Sequence, residues 1–320
     1  MSEQELIRLC REPKRKKKLF WTSEVYGFGP VIRKYGFFPR FLPLNIYLAH
    51  GITMFSEPAK HELENDAPVM LYFAPRLVEA FRNISSKPCY CLLSPNVYYR
   101  RSNDIVQDGN AKGTLAFLAH TTPLIEDKMD FTKYIAQLKS LPEAYQPITI
   151  CLHYHDVNKN VFKPFFEQGM DVETVGHPYS EKFINRFYNL MKNFRYVTSN
   201  EIGSYTFYAV EMGIPFFLFG SEPILINHGD ENIEKGRYTS FKETEQYKRV
   251  KELFSRPVDS VTPEQRAFVE EELGIFDSIS RMKLSGVLYW AYLKYYKNKL
   301  SKRIKRRIGK WTSFVNASRN

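Results

Sequence analysis

The stretch "YVTSNEIGSYTFYAVEMGIPFFLFG", residues 196–220, contains a complete strand–loop–helix–strand unit. Its apolar start predicts a buried strand, and the polar segment that follows predicts a loop at the carboxyl end of that strand. Ser204 is placed to cap a short helix, Gly213 to end it, and Pro215 to lead into the next strand. Units of this kind build parallel sheets that are covered by helices on both faces.

The rest of the chain repeats this alternation. Six more short apolar segments predict strands, and they cover residues 45–51, 68–73, 88–93, 114–120, 148–156 and 172–177. A polar, proline-bearing segment at 140–147 predicts a boundary between two α/β halves. We therefore expect an α/β protein with two Rossmann-like doubly wound domains that face a cleft. The expected ranges are a basic N-terminal segment 1–20, an N-terminal domain 21–143, a C-terminal domain 144–285 and a helical basic tail 286–320.

Composition narrows the class of protein. The 320 residues are 43% hydrophobic, which is enough to bury a core, and the N-terminus "MSEQELIRLC" is too polar for a signal peptide. No window reaches the ~18 apolar residues of a spanning helix, so we expect a cytoplasmic protein. The cysteines predict buried free thiols in a reducing compartment. They are Cys10, Cys89, Cys91 and Cys151.

The loop at the mouth of the 204–212 helix predicts a phosphate site. In open parallel sheets, ligands bind beyond the carboxyl ends of the strands. Free N–H groups at the helix start and the hydroxyls of Ser199 and Ser204 suit a phosphate, and Gly203 lets the backbone approach it. Glu211 lies two turns along the same face, roughly 10 Å away. A capped strand–helix unit without any ligand is the alternative.

A family resemblance enters here. The segment "SNEIGSYTFYAVEMGIPFFLFG" (199–220) resembles the donor-site element of GT-B glycosyltransferases, and it is similar to elements of teichoic-acid glycerophosphotransferases and bacterial capsule transferases. Glu211, Gly213 and Pro215 match that pattern, whereas Asn200 stands where Ser or Gly is commoner. The resemblance implies that the loop, Asn200 included, holds a nucleotide phosphate while Glu211 reaches the ribose.

Five of the seven histidines follow predicted strands. They are His50, His120, His153, His155 and His177. His50-Gly51 resembles the His-Gly that supplies the acceptor-side base in teichoic-acid and capsule enzymes, and a neutral imidazole, with a pKa of about 6.5, can take a proton from a hydroxyl. A core histidine is the alternative at His50.

The remaining histidines are predicted around the cleft. His120 and Thr121 are expected to face it as acceptor or cleft residues, and His153 and His155 are expected at the donor. His153 and His155 alternate to one face of a predicted strand, where donor contact is favoured over a metal because no third ligand is evident. "GHP" at 176–178 resembles the His-Pro motif of bacterial sialyltransferases, so either His177 or His153 would contact the leaving phosphate. We expect no metal and no cofactor beyond the nucleotide-activated sugar.

The net charge of +11 is concentrated at the two ends of the chain. Residues 286–320 carry ten Lys/Arg and no acidic residue. A helical stripe of apolar residues in this tail, together with the basic segment 13–21, predicts binding to an anionic membrane surface. The stripe consists of Leu300, Ile304, Ile308 and Trp311. Nucleic acid is the rival ligand, but no binding motif for it is found and none is expected.

These features lead to one functional expectation and two alternatives. We expect a metal-independent GT-B glycosyltransferase, peripheral at the inner face of a bacterial membrane, which moves a sugar from a nucleotide-activated donor to a glycan or lipid-linked acceptor in surface polysaccharide synthesis. The C-terminal half would bind the donor, and the N-terminal half would present the acceptor to His50. A nucleotide-sugar epimerase of the same fold and a non-enzymatic membrane or nucleic-acid adaptor are the alternatives.

Overall fold

The computed structural model describes residues 1–14, 19–119, 121–231 and 233–317, with residues 305–317 described by their backbone alone. His120, residues 15–18 of the basic N-terminal patch, and the side chains of Ile308 and Trp311 therefore lie outside the described parts. Within these ranges the chain is a mixed α/β protein built on parallel sheets, as predicted. Its strands are β1 (Tyr47–Leu48), β2 (Met70–Tyr72), β3 (Cys89–Cys91), β4 (Thr114–Phe117), β5 (Ile125–Asp127), β6 (Ile148–Leu152), β7 (Asp171–Thr174), β8 (Tyr196–Ser199), β9 (Phe216–Leu218), β10 (Leu225–Asn227) and β11 (Gly236–Arg237).

Helices connect most of these strands, and several begin at residues that favour a helix start. Asp130 accepts a hydrogen bond from the Lys133 N–H, and Thr262 forms a reciprocal cap with Gln265 before Pro263. The helices are α1 (Glu3–Cys10), α2 (Phe28–Tyr35), α3 (Lys60–Glu64), α4 (Pro75–Ile84), α5 (Pro95–Ser102), α6 (Phe131–Lys139), α7 (Tyr154–Asn158), α8 (Lys163–Glu167), α9 (Phe183–Met191), α10 (Ser204–Met212), α11 (Glu245–Leu253), α12 (Pro263–Glu272) and α13 (Arg281–Ala317).

The larger sheet has five parallel strands in the order β7-β6-β4-β8-β9. Read in chain order, this is the 3-2-1-4-5 arrangement of a doubly wound sheet, in which the direction of winding reverses between β4 and β8. All four residues of β4 and of β8 are buried, as expected for central strands covered on both faces. The reversal places the loops that follow β4 and β8 on either side of one crevice.

The smaller parallel sheet has the order β1-β2-β3. The segment 114–120, which lies within the predicted N-terminal range, does not extend this sheet. Its strand β4 instead pairs with β6 and β8 at the centre of the larger sheet, because a buried strand needs hydrogen-bond partners for the backbone N–H and C=O groups along both of its edges. The polar break at 140–147 is therefore a connection inside the larger sheet. The division into two domains stays a prediction.

A third sheet was not predicted. It is antiparallel, with the order β11-β10-β5, and it combines the segment after β4 with the segment after β9. Its strands are two or three residues long and only partly buried, so they lack the apolar runs that mark the central strands. This small sheet lies beside the crevice of the larger one and contributes Ile125 and Leu225 to the cavity described below.

Helix α10 confirms the predicted strand–loop–helix unit, with one change at its start. Gly203 is the N-cap residue and Ser204 is the first helical residue, so Ser204 does not cap the helix. Gly213 ends the helix at φ 91°, a left-handed conformation that suits glycine. Six of the nine residues of α10 are buried, because the helix is packed between β8, β9, α5 and α12.

Helix α13 packs onto the core through its first three turns. Leu284, Leu288 and Ala291 are buried there and join the same apolar core as α2 and α10. Beyond Ala291 the side chains described, as far as Ile304, are mostly exposed. In the described part of the chain, no helix is both long enough and apolar enough to span a membrane.

Candidate functional site

A cavity of about 430 Å³ lies where the carboxyl ends of the two parallel sheets face each other. One wall is the segment 50–55 that follows β1 in the smaller sheet. The opposite wall comes from the ends of β4, β6, β7 and β8 in the larger sheet, including the crevice between β4 and β8. The winding reversal of a doubly wound sheet is the usual place for a ligand, so the position of this cavity agrees with its being a binding site.

The loop after β8 forms the floor of the cavity with residues Glu201 to Tyr205. The Tyr205 ring stacks on Phe117 at the end of β4, with ring centroids 4.4 Å apart and an angle of 3° between the planes. The Tyr205 hydroxyl donates to the Glu201 carbonyl at 2.9 Å and lies 2.8 Å from the Ser199 hydroxyl. The two loops at the crevice are thus locked together by one aromatic side chain.

Two predicted donor ligands in this loop have structural partners instead. Ser199 is fully buried, and its hydroxyl, besides meeting Tyr205, accepts the Glu201 N–H at 3.2 Å. The Asn200 amide oxygen accepts the Ala119 N–H at 3.0 Å, and its amide nitrogen donates to the Ser221 carbonyl at 3.3 Å. Neither residue lines the cavity. Their side chains hold the loop in shape, because a loop of this curvature leaves N–H groups that need acceptors.

Gly203 and Ser204 line the cavity, and their contact with a donor stays a prediction. The Ser204 hydroxyl accepts the Ile52 N–H at 3.0 Å and so reaches across to the segment after β1. A Cβ on Gly203 would lie 2.5 Å from a ring carbon of Tyr205, so this position has room only for glycine unless the ring moves. The two residues stand at the start of α10, where the first-turn N–H groups have no partner within the helix.

Glu211 lies away from the cavity, against the prediction that it reaches a ribose. Its carboxylate receives Arg100 Nε at 2.6 Å and Arg100 Nη2 at 2.7 Å, and Arg101 Nε at 2.9 Å. With a side chain 1% exposed, Glu211 is saturated by two guanidinium groups from α5. At its position two turns after Ser204, the side chain of Glu211 faces α5 and not the cavity.

His50 lines the cavity from the smaller sheet, opposite the start of α10. Its ring centroid lies 5.0 Å from that of Trp21 and 6.4 Å from that of His61. The segment that carries His50 is fixed from behind: Arg76 donates to the Thr53 carbonyl at 2.5 Å and to the Phe55 carbonyl at 2.7 Å. Glu272 in turn holds Arg76 through contacts of 2.6 and 2.9 Å.

His153 also lines the cavity, whereas His155 does not. The predicted strand 148–156 ends at Leu152, and α7 begins at Tyr154, so the two histidines do not share the face of a strand. The His155 ring instead packs on Tyr154, with centroids 3.9 Å apart. His177 is buried behind the cavity, where its Nδ1 accepts the Tyr179 N–H at 3.2 Å.

Thr121 belongs to a buried network rather than to the cavity wall. Its hydroxyl donates to Asp156 Oδ1 at 2.7 Å and accepts Lys159 Nζ at 3.0 Å. Burial raises the pKa of Asp156 to about 6, although the Thr121 hydrogen bonds and the Lys159 charge act in the opposite direction. The neighbour Thr122 does line the cavity. The network fixes the loop after β4, and the place of His120 in it lies outside the described residues.

The charges around the cavity are few. Apart from histidines, Glu201 carries the only formal charge among the described residues that line it. Burial raises the pKa of Glu201, while the Tyr247 hydroxyl at 2.7 Å and the Ile202 N–H at 2.9 Å favour its ionised form. Lys242 approaches Glu201 to 3.6 Å but is shared with Glu222. Among the described residues, no group of three or more His, Cys, Asp or Glu side chains could hold a metal ion.

Sequence reasoning missed most of the aromatic wall of the cavity. Tyr26, just before α2, and Phe28, its first residue, line the cavity together with Phe183 and Phe187 of α9, which is far away in the chain. Aromatic residues at helical spacing predict core packing, and nothing local distinguishes a ring in the core from one in a cavity wall. Glu201 is different, because an acidic residue two positions after a central strand is a signal that the sequence does offer.

Comparisons with known proteins give a structural likeness alone. No family model matches the chain, and no curated protein matches it. The structure is similar to that of the wall teichoic acid polymerase TagF, with 15% identity and a TM-score of 0.38 over 80% of this chain and 68% of that one. For TagF variants soaked with CDPG, identity is 17% and the TM-scores are 0.34 and 0.35. The chain spans 57% and 58% of the length of those two structures.

This likeness agrees with the teichoic-acid resemblance noted from the sequence. Because every one of these TM-scores is below 0.5, the function proposed next rests on the geometry of the chain's own residues.

Proposed function

We propose that the chain is a GT-B-like glycosyltransferase that moves a sugar from a nucleotide-activated donor to a glycan or lipid-linked acceptor in bacterial surface polysaccharide synthesis. One observation carries the proposal. A single cavity has the start of α10 at the winding reversal of a doubly wound sheet on one side and His50 on the other. The start of α10 could therefore bind the phosphate of the donor while His50 takes the proton of an acceptor hydroxyl in the same cavity.

The start of α10 supports the donor side of the proposal. The N–H groups of Ser204 and Tyr205 and the positive end of the helix dipole attract an anion, and Ser204 adds a hydroxyl, whereas the Thr206 N–H donates to the Gly203 carbonyl at 3.0 Å. Since the cavity wall has no described Lys or Arg, these groups and the histidines would supply the attraction. In the proposed reaction the bond from the sugar to the donor phosphate breaks, and the negative charge that develops on that phosphate is stabilised at the helix start.

His50 supports the acceptor side. As a neutral imidazole it would take the proton of the acceptor hydroxyl while the hydroxyl oxygen attacks the sugar carbon. Arg76 and Glu272 hold the segment that follows His50, which favours one fixed orientation of this side chain. His153, from the end of β6, is proposed as a further contact to the donor. The reaction as proposed uses no metal ion and continues in the presence of a chelator.

The assay is release of nucleotide from a panel of nucleotide sugars, with and without bacterial membranes as the acceptor source. We expect release that depends on the membranes, with label transferred to them, and loss of both in His50→Ala. His228→Ala is the matched control, because His228 is an exposed histidine that contacts Glu126. Turnover of the sugar without transfer would indicate an epimerase, and no turnover together with membrane binding would indicate an adaptor.

Membrane association through α13 is part of the same proposal. At 100° per residue, the exposed apolar side chains of α13 fall within an arc of about 120° that lies roughly opposite its buried face. They are Met282, Tyr289, Trp290, Leu293, Tyr296, Leu300 and Ile304. Exposed basic residues such as Lys294 and Arg303 flank this stripe, which is the pattern of a helix that lies on an anionic surface. Pairing with a second copy would bring like charges together.

Two further contacts relate this stripe to the rest of the molecule. Phe41, 85% exposed, and Phe37 lie in the loop after α2, where Arg281 at the start of α13 covers the Phe37 ring at 4.2 Å. Phe20 packs against Tyr295 of α13 at 5.9 Å, and the next residue, Trp21, packs on His50. Because Tyr295 lies on the face of α13 opposite the stripe, a membrane bound at the stripe would be separated from Phe20 and Trp21 by the width of that helix.

Flotation with vesicles tests the membrane proposal. We expect binding to vesicles that contain phosphatidylglycerol and not to pure phosphatidylcholine vesicles, with an affinity that falls as salt rises. Leu300→Glu should weaken binding much more than Asn298→Glu, which adds the same charge to the same turn of the helix away from the stripe. Equal losses in the two variants would show that charge alone acts and that the stripe does not insert.

A further inference from the structure

We infer that Ser204 is a positioning residue that couples occupancy of the donor side of the cavity to the placement of His50. This inference rests on the proposed function, because it concerns the same cavity. Its basis is the hydrogen bond in which the Ile52 N–H donates to the Ser204 hydroxyl at 3.0 Å, between residues 152 positions apart. The bond joins the first residue of α10 to the second residue after His50.

Among the described residues, few other hydrogen bonds are seen that tie the backbone of segment 50–55 to the rest of the molecule. At its start, the Ala49 N–H donates to the Leu71 carbonyl at 2.9 Å, within the pairing of β1 with β2. Towards its end, Arg76 binds two carbonyls, those of Thr53 and Phe55. Between these anchors, the hydrogen bond from Ile52 to Ser204 fixes the backbone beside His50.

A serine hydroxyl can accept and donate at the same time. While the Ser204 oxygen accepts a hydrogen bond from the Ile52 N–H, the Ser204 O–H can donate a hydrogen bond to an anion bound at the start of α10. The result is a chain of hydrogen bonds from the Ile52 N–H through Ser204 to the ligand. Each bond in such a chain polarises and strengthens the next, so a bound anion tightens the hold on the segment beside His50. His50, the proposed base, is then held most firmly in position when a nucleotide-activated donor is bound.

Glu272 provides the attachment at the other end of the segment 50–55. It holds Arg76, which holds Thr53 and Phe55, and it lies on α12, which packs against α10. The contact between the two helices includes Phe207 and Phe268, whose ring centroids are 6.1 Å apart. The segment after His50 is therefore attached at both ends to one rigid pair of helices. Of the two attachments, a ligand at the start of α10 can contact only the hydrogen bond between Ser204 and Ile52.

Amide hydrogen exchange tests the inference. Without ligand, Ser204→Ala should speed exchange at Ile52 about fivefold, the effect of losing one ordinary hydrogen bond, while Ser204→Thr, which keeps a hydroxyl, should stay near the wild-type rate. Ser102→Ala is the matched control on an exposed helix end. Saturating nucleotide, chosen from UDP, GDP, CDP and CMP, should slow exchange at Ile52 further in the wild type and in Ser204→Thr, but not in Ser204→Ala.

A second readout follows His50 itself. With histidines labelled in nitrogen-15 and His50 assigned through His50→Gln, saturating nucleotide should shift the His50 signals in the wild type, and Ser204→Ala should remove most of that shift. Unchanged exchange at Ile52 in Ser204→Ala, or slowing by nucleotide in that variant equal to the wild type, would overturn the coupling. If no nucleotide binds, the proposed function fails, whereas the ligand-free exchange rates still decide whether Ser204 holds the segment.

Discussion

Replacing Glu211 with glutamine separates the structural account from the one suggested by family resemblance. In the structure, the Glu211 carboxylate neutralises Arg100 and Arg101 and makes three contacts of 2.6 to 2.9 Å with them. Glutamine keeps the shape and one acceptor oxygen, but it removes the charge and turns an amide N–H₂ toward guanidinium N–H groups. Both guanidinium groups would then lack their counter-ion.

The cost follows from burial. Removing one member of a buried ion pair costs about 3–5 kcal/mol. Because the Arg101 side chain is 44% exposed and can regain water, the low end, about 3 kcal/mol, applies here. With an unfolding entropy of about 2 cal/mol/K per residue over 320 residues, 3 kcal/mol corresponds to a fall in Tm of about 5 °C.

Calorimetry measures both the stability and the nucleotide affinity of the variant. Glu211→Gln should lower Tm by about 5 °C and leave nucleotide affinity within about twofold of the wild type. The control, Glu245→Gln, breaks an exposed pair with Lys248 and should move Tm by less than 1 °C, because such pairs contribute little. An unchanged Tm together with a tenfold loss of nucleotide affinity would refute the reasoning and return Glu211 to the ribose.

Two more changes have defined outcomes. Asp156→Asn should flatten the dependence of stability on pH. Because burial raises the pKa of Asp156 to about 6, this group's contribution to stability is complete below about pH 4 and falls by about 3 kcal/mol as the pH rises through 6. Tm measured at pH 4.5 and 7.5 in both proteins would reveal the difference. A wild-type Tm with no such fall relative to the variant would contradict the assignment. Gly203→Ala should cost about 1–3 kcal/mol and displace Tyr205 from Phe117, which urea denaturation and near-UV circular dichroism would detect; a silent substitution would mean that the ring is not fixed.

Much of the fold around the site could be predicted from the sequence. The strand at 196–199, the loop, the helix and the glycine at 213 are encoded locally by apolar runs and by a residue that accepts positive φ. The sheet to which a strand belongs is not encoded locally. Thus the sequence order places β4 beside β1, β2 and β3, whereas the hydrogen bonds along its two edges pair it with β6 and β8, which follow later in the chain.

The candidate site shows the same division. Its position after β8 was predictable, and His50, His153, Gly203 and Ser204 do line one cavity. The partners of each polar side chain were not predictable, because they come from distant segments. Glu211 meets two arginines about 110 residues earlier in the chain, and Ser204 meets the backbone of Ile52. A motif identifies residue types that could bind a phosphate, and tertiary contacts decide which of them remain available.

The most direct test of the proposed function is titration calorimetry of UDP, GDP, CDP and CMP with the wild-type protein, Ser204→Ala and the control Ser102→Ala. The proposal predicts that one of the four nucleotides binds, that Ser204→Ala weakens it about tenfold or more, as expected for a hydrogen bond to a charged group, and that Ser102→Ala does not. Binding of none of them, or equal affinity in Ser204→Ala and the wild type, would contradict a nucleotide phosphate at the start of α10.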